Sequence, residues 1–386
     1  MAQQSTAHQA SVTVPGAANG AAANTTQRRA LYLKLFSGEM FKGFQHNAIA
    51  RDLVMKRTLK NGKSLQFIYT GRTKAEFHVP GNSILGNSDG APPVAEKTIT
   101  VDDLLISSAF LYELDETLAH YDLRSEVSRK IGYALAQKYD RLVFRSLVRG
   151  ARVASPITKS GFVEPGGTQI KVGTAASTAA ADAYDPSKLV NAFYDAAAAM
   201  DEKGVSTDGR FGILNPRQYY ELIQQVGENG LVNRDAQGTS RQKGNGIIEI
   251  AGIKIHKSMN IPFFGSYGTK YGTAGATNPG VTDPGNTGTF VSETIEDAEN
   301  TDTGINNDYG ANTNFVNTCG IIGQREGAGI VEAIGPQVQV TKGDVSVIYQ
   351  GDVILGRLAC GADYVNPAAC VELYAGVATS SAPAAF

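Results

Sequence analysis

A mixed α+β chain with two packed regions is predicted by three observations. With 386 residues, 42% hydrophobic and 19% charged, the chain can bury a substantial core and exceeds the usual size of one domain. From Leu123 the apolar positions fall at spacings of three and four, which predicts one long helix. Elsewhere the apolar residues alternate, most cleanly in GIVEAIGPQVQVTKGDVSVIYQGDVIL, which predicts strands.

Residues 1–29 are small and polar, rich in Ala, Gln, Thr and Gly, and are expected to be a mobile tail. A basic arm follows to about Lys60. Its charges are interleaved with Leu31, Leu33, Leu35, Phe36, Phe41 and Phe44, which a purely solvated segment would not need. The stretch SLQFIYTGRTKAEFHV then reads as the first limb of a long hairpin. PGNSILGNSDGAPP is its turn-rich tip and EKTITVDDLLISSAFLYEL its return. No core is visible inside so thin a device, so packing on a partner subunit is expected.

The long helix is expected to start at a cap on Asp122 and to stop near Gly150. Leu123, Val127, Ile131, Leu135, Tyr139, Leu142 and Ser146 lie on one face. Gly132 inside it costs about 1 kcal/mol relative to Ala, which a close backbone approach would justify. Asp185-Pro186 and Asn215-Pro216 both show the order of cap then proline that starts a helix, closed by Gly204 and Gly227. FGILN and GIIEIAGIKIHKS read as strands. Residues 263–315 turn to Gly, Thr, Asn and Asp without periodicity and are expected to form a long exposed insertion. Lys342-Gly343-Asp344 reads as a turn between strands, and residues 375–386 as a flexible tail.

The net charge is −2, yet between Arg28 and Lys74 eleven Lys and Arg face only Glu39 and Asp52. Such asymmetry points to a polyanion or to an acidic neighbouring subunit. The basic candidates are Arg28, Arg29, Lys34, Lys42, Lys56, Arg57, Lys60, Lys63, Arg72 and Lys74. The acidic candidates are Asp102, Asp103, Glu113, Asp115 and Glu116.

Chemistry is harder to find. Gly62-Lys63-Ser64 ends like a phosphate loop, but Arg57 stands where the first glycine is needed. Gly351–Leu358 has the spacing but carries Arg357 and Leu358 at its end. Gly327-Ala328-Gly329 runs into IVEAI, a strand rather than the helix of a dinucleotide fingerprint, with Glu332 at the last small-residue position. His8, His46, His78, His120 and His256 are scattered. Cys319, Cys360 and Cys370 are an odd count without C-x-x-C, which fits buried thiols made in a reducing cytoplasm. The opening residues lack a basic start with an apolar stretch, and no run of eighteen apolar residues follows, so neither secretion nor membrane spanning is expected. No catalytic residue, cofactor or metal is assigned.

Several strings occur in a telling order: GKSLQF at 62–67, GRTKA at 71–75, Pro80-Gly81, EKTITVDDLL at 96–105, HYDLRSE at 120–126 and Ile131-Gly132. In this order they resemble the major capsid proteins of T7-like podoviruses. The resemblance implies the HK97-like capsid fold, with an N-terminal arm at 30–60 and an extended loop at 61–103. It further implies a peripheral domain at 104–160 plus 325–352, and an axial domain at 161–324 plus 353–374 that carries the 263–315 insertion. The implied function is a self-assembling icosahedral phage shell of pentamers and hexamers around double-stranded DNA, bound without sequence preference. The implied partners are a scaffolding protein, a portal at one vertex and a decoration protein, and the implied location is the virion capsid, after synthesis in the bacterial cytoplasm. A surface decoration or attachment module is the alternative.

Overall fold

The computed structural model describes residues 49–72, 77–81, 93–101, 104–118, 123–156, 158–159, 162–174, 180–224, 248–258, 260–261, 318–340 and 350–376. The expected polar tail, the arm up to residue 48, the 263–315 insertion, the Lys342-Gly343-Asp344 turn and residues 377–386 lie outside the described residues. So do Asp122 and Gly227.

In chain order, a single turn α1 (Ala50–Leu53) leads to β1 (Met55–Thr58) and to the hairpin strands β2 (Ser64–Thr70) and β3 (Val94–Thr100). Next come β4 (Leu105–Tyr112), α2 (Glu113–Leu118) and the long α3 (Leu123–Ala151), followed by short β5 (Thr158–Lys159) and β6 (Phe162–Val163). Then follow β7 (Thr168–Lys171), α4 (Pro186–Glu202), β8 (Arg210–Leu214), α5 (Pro216–Gln224), β9 (Ile248–Ile250) and β10 (Ile253–Lys257). The last strands are β11 (Thr318–Gln324), β12 (Ala328–Val340), β13 (Gly351–Tyr364) and β14 (Cys370–Tyr374).

The chain forms two compact units, one holding Asp103–Tyr139 and Ala333–Cys360, the other Ile49–Asp102, Asp140–Glu332 and Gly361–Phe386. In the first, β4 pairs antiparallel with β13 from Tyr112 opposite Gly351 to Leu105 opposite Leu358. The inward positions of the pair face the first half of α3: Leu111, Ile131, Leu135 and Ile354 form one buried cluster, joined by Leu105, Ala109 and Val127. A helix on one face of a sheet is the smallest stable layering. Gly356 permits it, because a Cβ there would lie 2.4 Å from Ile131 Cγ2. Gly132 does not serve this purpose. A Cβ there would meet nothing within 4 Å, so the close approach expected at that glycine is absent among the described residues.

The second unit is built on a six-stranded sheet of order β7-β14-β11-β8-β10-β9. β14 runs parallel to β7, β10 parallel to β8, and the remaining pairs are antiparallel. The central strands β8 and β11 are buried at every position, as continuous apolar runs require when both faces are covered. α4 starts as the sequence predicts, with Asp185 Oδ1 accepting the Ser187 amide at 3.0 Å and proline at the next position. It ends before Gly204 at φ +70. α5 repeats the device, Asn215 Oδ1 accepting the Arg217 amide at 3.2 Å. Phe193 of α4 lies over Gly212 of β8, where a Cβ would come within 2.8 Å of its ring.

Three expectations are corrected. GIIEIAGIKIHKS is not one strand but the hairpin β9–β10, turned at Ala251 and Gly252, whose φ values are +52 and +76. Two successive positive φ values are the signature of a tight hairpin turn, which asparagine and glycine normally announce and an alanine conceals. The return limb 96–114 is two strands: β3 pairs with β2 from Val94 opposite Thr70 to Thr100 opposite Ser64, while β4 leaves for the first unit. Finally, the hairpin has a core in its own chain. The alternate side chains Phe67 and Ile99 are buried beside Gly329, whose absent Cβ leaves room for both.

The long helix also changes character along its length. The stripe predicted from its spacing holds from Val127 through Leu135, but from Tyr139 to Arg152 every residue is buried, including Val143, Phe144, Leu147 and Val148 at 1% exposure or less.

Candidate assembly surface

Of the basic candidates, Arg28, Arg29, Lys34, Lys42 and Lys74 lie outside the described residues, as do Asp102 and Asp103 among the acids. The side chains of Asp115 and Glu116 on α2 lie outside the description as well, while Glu113 is exposed and its amide donates to the Gln350 carbonyl at 3.0 Å.

The remaining basic residues belong to the second unit and have different surroundings. Lys56, on β1, reaches Glu332 of β12 at 2.7 Å, and Arg51 reaches the same carboxylate with Nε and Nη2, each at 3.3 Å. β1 runs parallel to β12, with Thr58 opposite Glu332, so strand pairing brings the two signs together. Arg57 lays its guanidinium over the Phe67 ring, 4.7 Å from the centroid, a cation–π contact that still leaves the side chain exposed. Lys60 and Lys63, on the turn into β2, are exposed. Arg72, at the end of the described first limb, approaches Glu164 at 3.8 Å.

Glu332 and Glu164, both nearly buried, were not legible as partners. A lone acid in a strand or loop reads as solvated; only its burial beneath a cation gives it a role. Asp140 was missed likewise. It sits on α3 in the apolar run DRLVF, fully buried, and accepts the amides of Ile49 at 3.0 and 3.1 Å and Ala50 at 3.0 Å, and the Asn260 side chain at 3.4 Å. It thereby caps α1, whose own first residue supplies no side-chain cap. Burial pushes its carboxyl up to about 6, with the Ile49, Ala50 and Asn260 hydrogen bonds pulling the other way.

The outward faces are apolar in places where a single subunit gains nothing from it. Ile68, 74% exposed, and Val94, 62% exposed, are diagonal neighbours on the outer side of the hairpin, and Phe77 and Val79 beyond them are also exposed. In the first unit, Ile106 on the outer side of β4 is 53% exposed.

Among the described residues no group of three His, Cys, Asp or Glu side chains gathers as metal ligands, and no described helix is long and apolar enough to cross a membrane. The thiols of Cys319 and Cys370 are fully buried, and burial raises both, Cys370 to about 12, so neither is a ready nucleophile.

A family model described as Gp10A-like major capsid protein matches residues 66–287, more than half of the chain. The chain belongs to that family of major capsid proteins. The capsid protein is 28% identical over 250 residues to the major capsid protein of Escherichia phage T7, covering 64% of this chain and 70% of that one. Against the Enterobacteria phage T3 major capsid protein it is 32% identical over 134 residues, which are 34% of this chain and 38% of that one. The capsid structure of Cyanophage P-SCSP1u superposes with a TM-score of 0.65 at 30% identity, covering 93% of this chain and 96% of that chain. The mature capsid subunit of bacteriophage PhiM1 shares the fold at TM-score 0.59 and 13% identity, over 89% of this chain and 91% of that one. The fold is therefore the HK97-like α+β capsid fold, and the protein is a structural, shell-forming component of the virion capsid, not an enzyme.

Proposed function

We propose that this capsid protein closes into an icosahedral shell of pentamers and hexamers around double-stranded DNA, each copy laying its arm and hairpin over neighbours. The outer face of the hairpin carries the reading. Ile68, Val94, Phe77 and Val79 stand in water in the lone chain, and covering them is worth about 25 cal/mol for each Å² removed from water. Many such modest contacts, repeated by symmetry, close a shell without any one being strong.

The regions of this reading are an arm at 30–60, an extended loop at 61–103, a peripheral domain and an axial domain. Arg28, Arg29, Lys34 and Lys42 of the arm face packaged DNA and neutralise phosphates without reading bases. Lys60 and Lys63 face acids of an adjacent copy, with Asp102, Asp103, Glu113, Asp115 and Glu116 as the candidates. A scaffolding protein templates assembly, a portal occupies one vertex, a decoration protein is a further partner, and synthesis takes place in the host bacterial cytoplasm.

The test is electron microscopy of the full-length chain, expressed alone and with the phage's scaffolding protein, after gradient sedimentation at low and high salt. Closed particles of uniform size are expected. Monomers or small oligomers under every condition would instead assign the chain to a decoration or attachment role.

A further inference from the structure

Within the second unit, two chemically different attachments fasten the hairpin to its neighbours. At the root the fastening is apolar: a Cβ at Gly329 would be 3.2 Å from Ile99 Cδ1 and 3.3 Å from Phe67 Cζ, so the two buried side chains lie directly on β12. Beside the root and beyond it the fastening is polar. Lys97 on β3, directly opposite Phe67, places Nζ 2.8 Å from Asp363 Oδ2 and 3.9 Å from the centre of the Tyr364 ring. Glu164, itself 3% exposed, accepts the Arg72 amide at 2.5 Å and the Tyr69 hydroxyl at 3.5 Å.

The same carboxylate takes part in a closed ring. Arg72 Nη2 donates to the Lys203 carbonyl just past the end of α4. The Lys203 ammonium in turn donates to the Gly166 and Gly167 carbonyls at 2.6 and 2.9 Å, in the loop that Glu164 begins. Gly71 is where the limbs and the carboxylate meet. Its amide donates to the Pro93 carbonyl at 2.7 Å, and a Cβ would come within 2.7 Å of the Pro93 ring and 2.8 Å of Glu164 Oε1.

We propose that this polar clasp, Glu164 with Tyr69 and Arg72 and Asp363 with Lys97, sets the direction in which the hairpin leaves the body and releases as a unit, the strands pivoting on their apolar root. The two attachments differ in strength. Arg72 is 59% exposed and Lys97 28%, and ion pairs with such open partners contribute little. Phe67 and Ile99 are held by burial, which water does not screen. The clasp therefore opens while the root stays closed, and a subunit gains two hairpin directions from one fold.

Hydrogen exchange followed by mass spectrometry on the full-length subunit tests this, with Arg72→Ala and Lys97→Met singly and combined, and Lys254→Ala on the exposed side of β10 as control. In the double variant, amides from Ile68 to Thr70 and from Val94 to Glu96 are expected to exchange at least tenfold faster, while β8 and β11 keep wild-type protection. Unchanged exchange in the hairpin, or equal acceleration in β8 and β11, would overturn the proposal. Glu164→Gln, which keeps an oxygen for the Arg72 amide but removes the charge, is expected to give a smaller acceleration confined to the same amides; acceleration spread through the sheet would again count against a clasp. The second readout, particle diameter, rests on the shell reading above: the double variant is expected to give a shifted or broadened size distribution. Locally faster exchange with particles of unchanged size would overturn the direction-setting role, whereas a wild-type chain that forms no particles counts against the shell reading and leaves the clasp to be judged on exchange.

Discussion

Arg152, one residue past the end of α3, grips Glu372 of β14 with two nitrogens, Nε at 2.7 Å and Nη2 at 2.6 Å. Thr318 of β11 and Gln169 of β7 donate to the same carboxylate at 2.6 and 2.8 Å, so four hydrogen bonds satisfy a charge that is 1% exposed. Three adjacent strands and the end of the long helix are thus locked in one register. Arg152→Met alone strands that carboxylate and is expected to lower stability by about 3–5 kcal/mol in denaturant unfolding. Adding Glu372→Met removes the stranded charge and is expected to recover most of the loss. A double variant no better than the single one would refute this account of the pair.

Asp140 gives a pH dependence of definite sign. Its carboxyl is raised from 3.8 to about 6 in the folded chain, so the folded state binds the proton before the unfolded one does. This group alone therefore favours folding as pH falls from about 6 toward 4 and opposes it above 6. Asp140→Asn removes the contribution, and the stability profile between these values is expected to lose that slope. The variant is also expected to remain folded at neutral pH. The Asn260 side-chain oxygen beside it is buried without a partner among the described residues, and it can accept from the new amide once Asn260 flips.

Two glycines at the same unit should respond in opposite directions. Gly356→Ala drives a methyl to within 2.4 Å of Ile131 Cγ2, and overpacking of this kind costs about 1–3 kcal/mol. Gly132→Ala meets open space on an exposed helical position and is expected to gain up to about 1 kcal/mol. Thermal unfolding of the two variants decides both. If Gly132→Ala stabilises the subunit yet abolishes particles, the glycine is kept for contact between copies.

Ala251 holds φ at +52 in the β9–β10 turn, a conformation that costs an alanine about 1 kcal/mol or more. Ala251→Asn, ahead of Gly252, supplies the preferred pair for this turn and is expected to raise the midpoint of thermal unfolding by a few degrees. A lowered midpoint would show that the alanine methyl packs on something the turn alone does not reveal.

What could be read in the sequence was local. Asp185-Pro186 and Asn215-Pro216 announced their helices because capping is chemistry between near neighbours, and Val127 to Leu135 announced a face because burial there is one-sided. The second half of α3 gave no such warning. Its stripe dissolves because residues from distant segments surround it, and Asp140, bonded to amides 90 and 91 positions away, looks in sequence like any surface acid. The same holds for Glu332 beneath Lys56 and Glu164 beneath Arg72, whose value comes from strands that meet only after folding. Resemblance to a capsid family supplied the fold plan but not these partners.

β14 lies between β7 and β11, yet Cys370 is separated from Lys171 by about half the chain. During synthesis the earlier strands of this sheet must therefore wait, with an open gap, for a segment that the ribosome has still to deliver. Until it arrives, β7 has no strand to pair with in this sheet, and Glu372 is not there to receive Arg152. A nascent chain of this kind carries unpaired strand edges on either side of the gap until its last strand is made, so the register shared by β7, β14 and β11 is set in one late step.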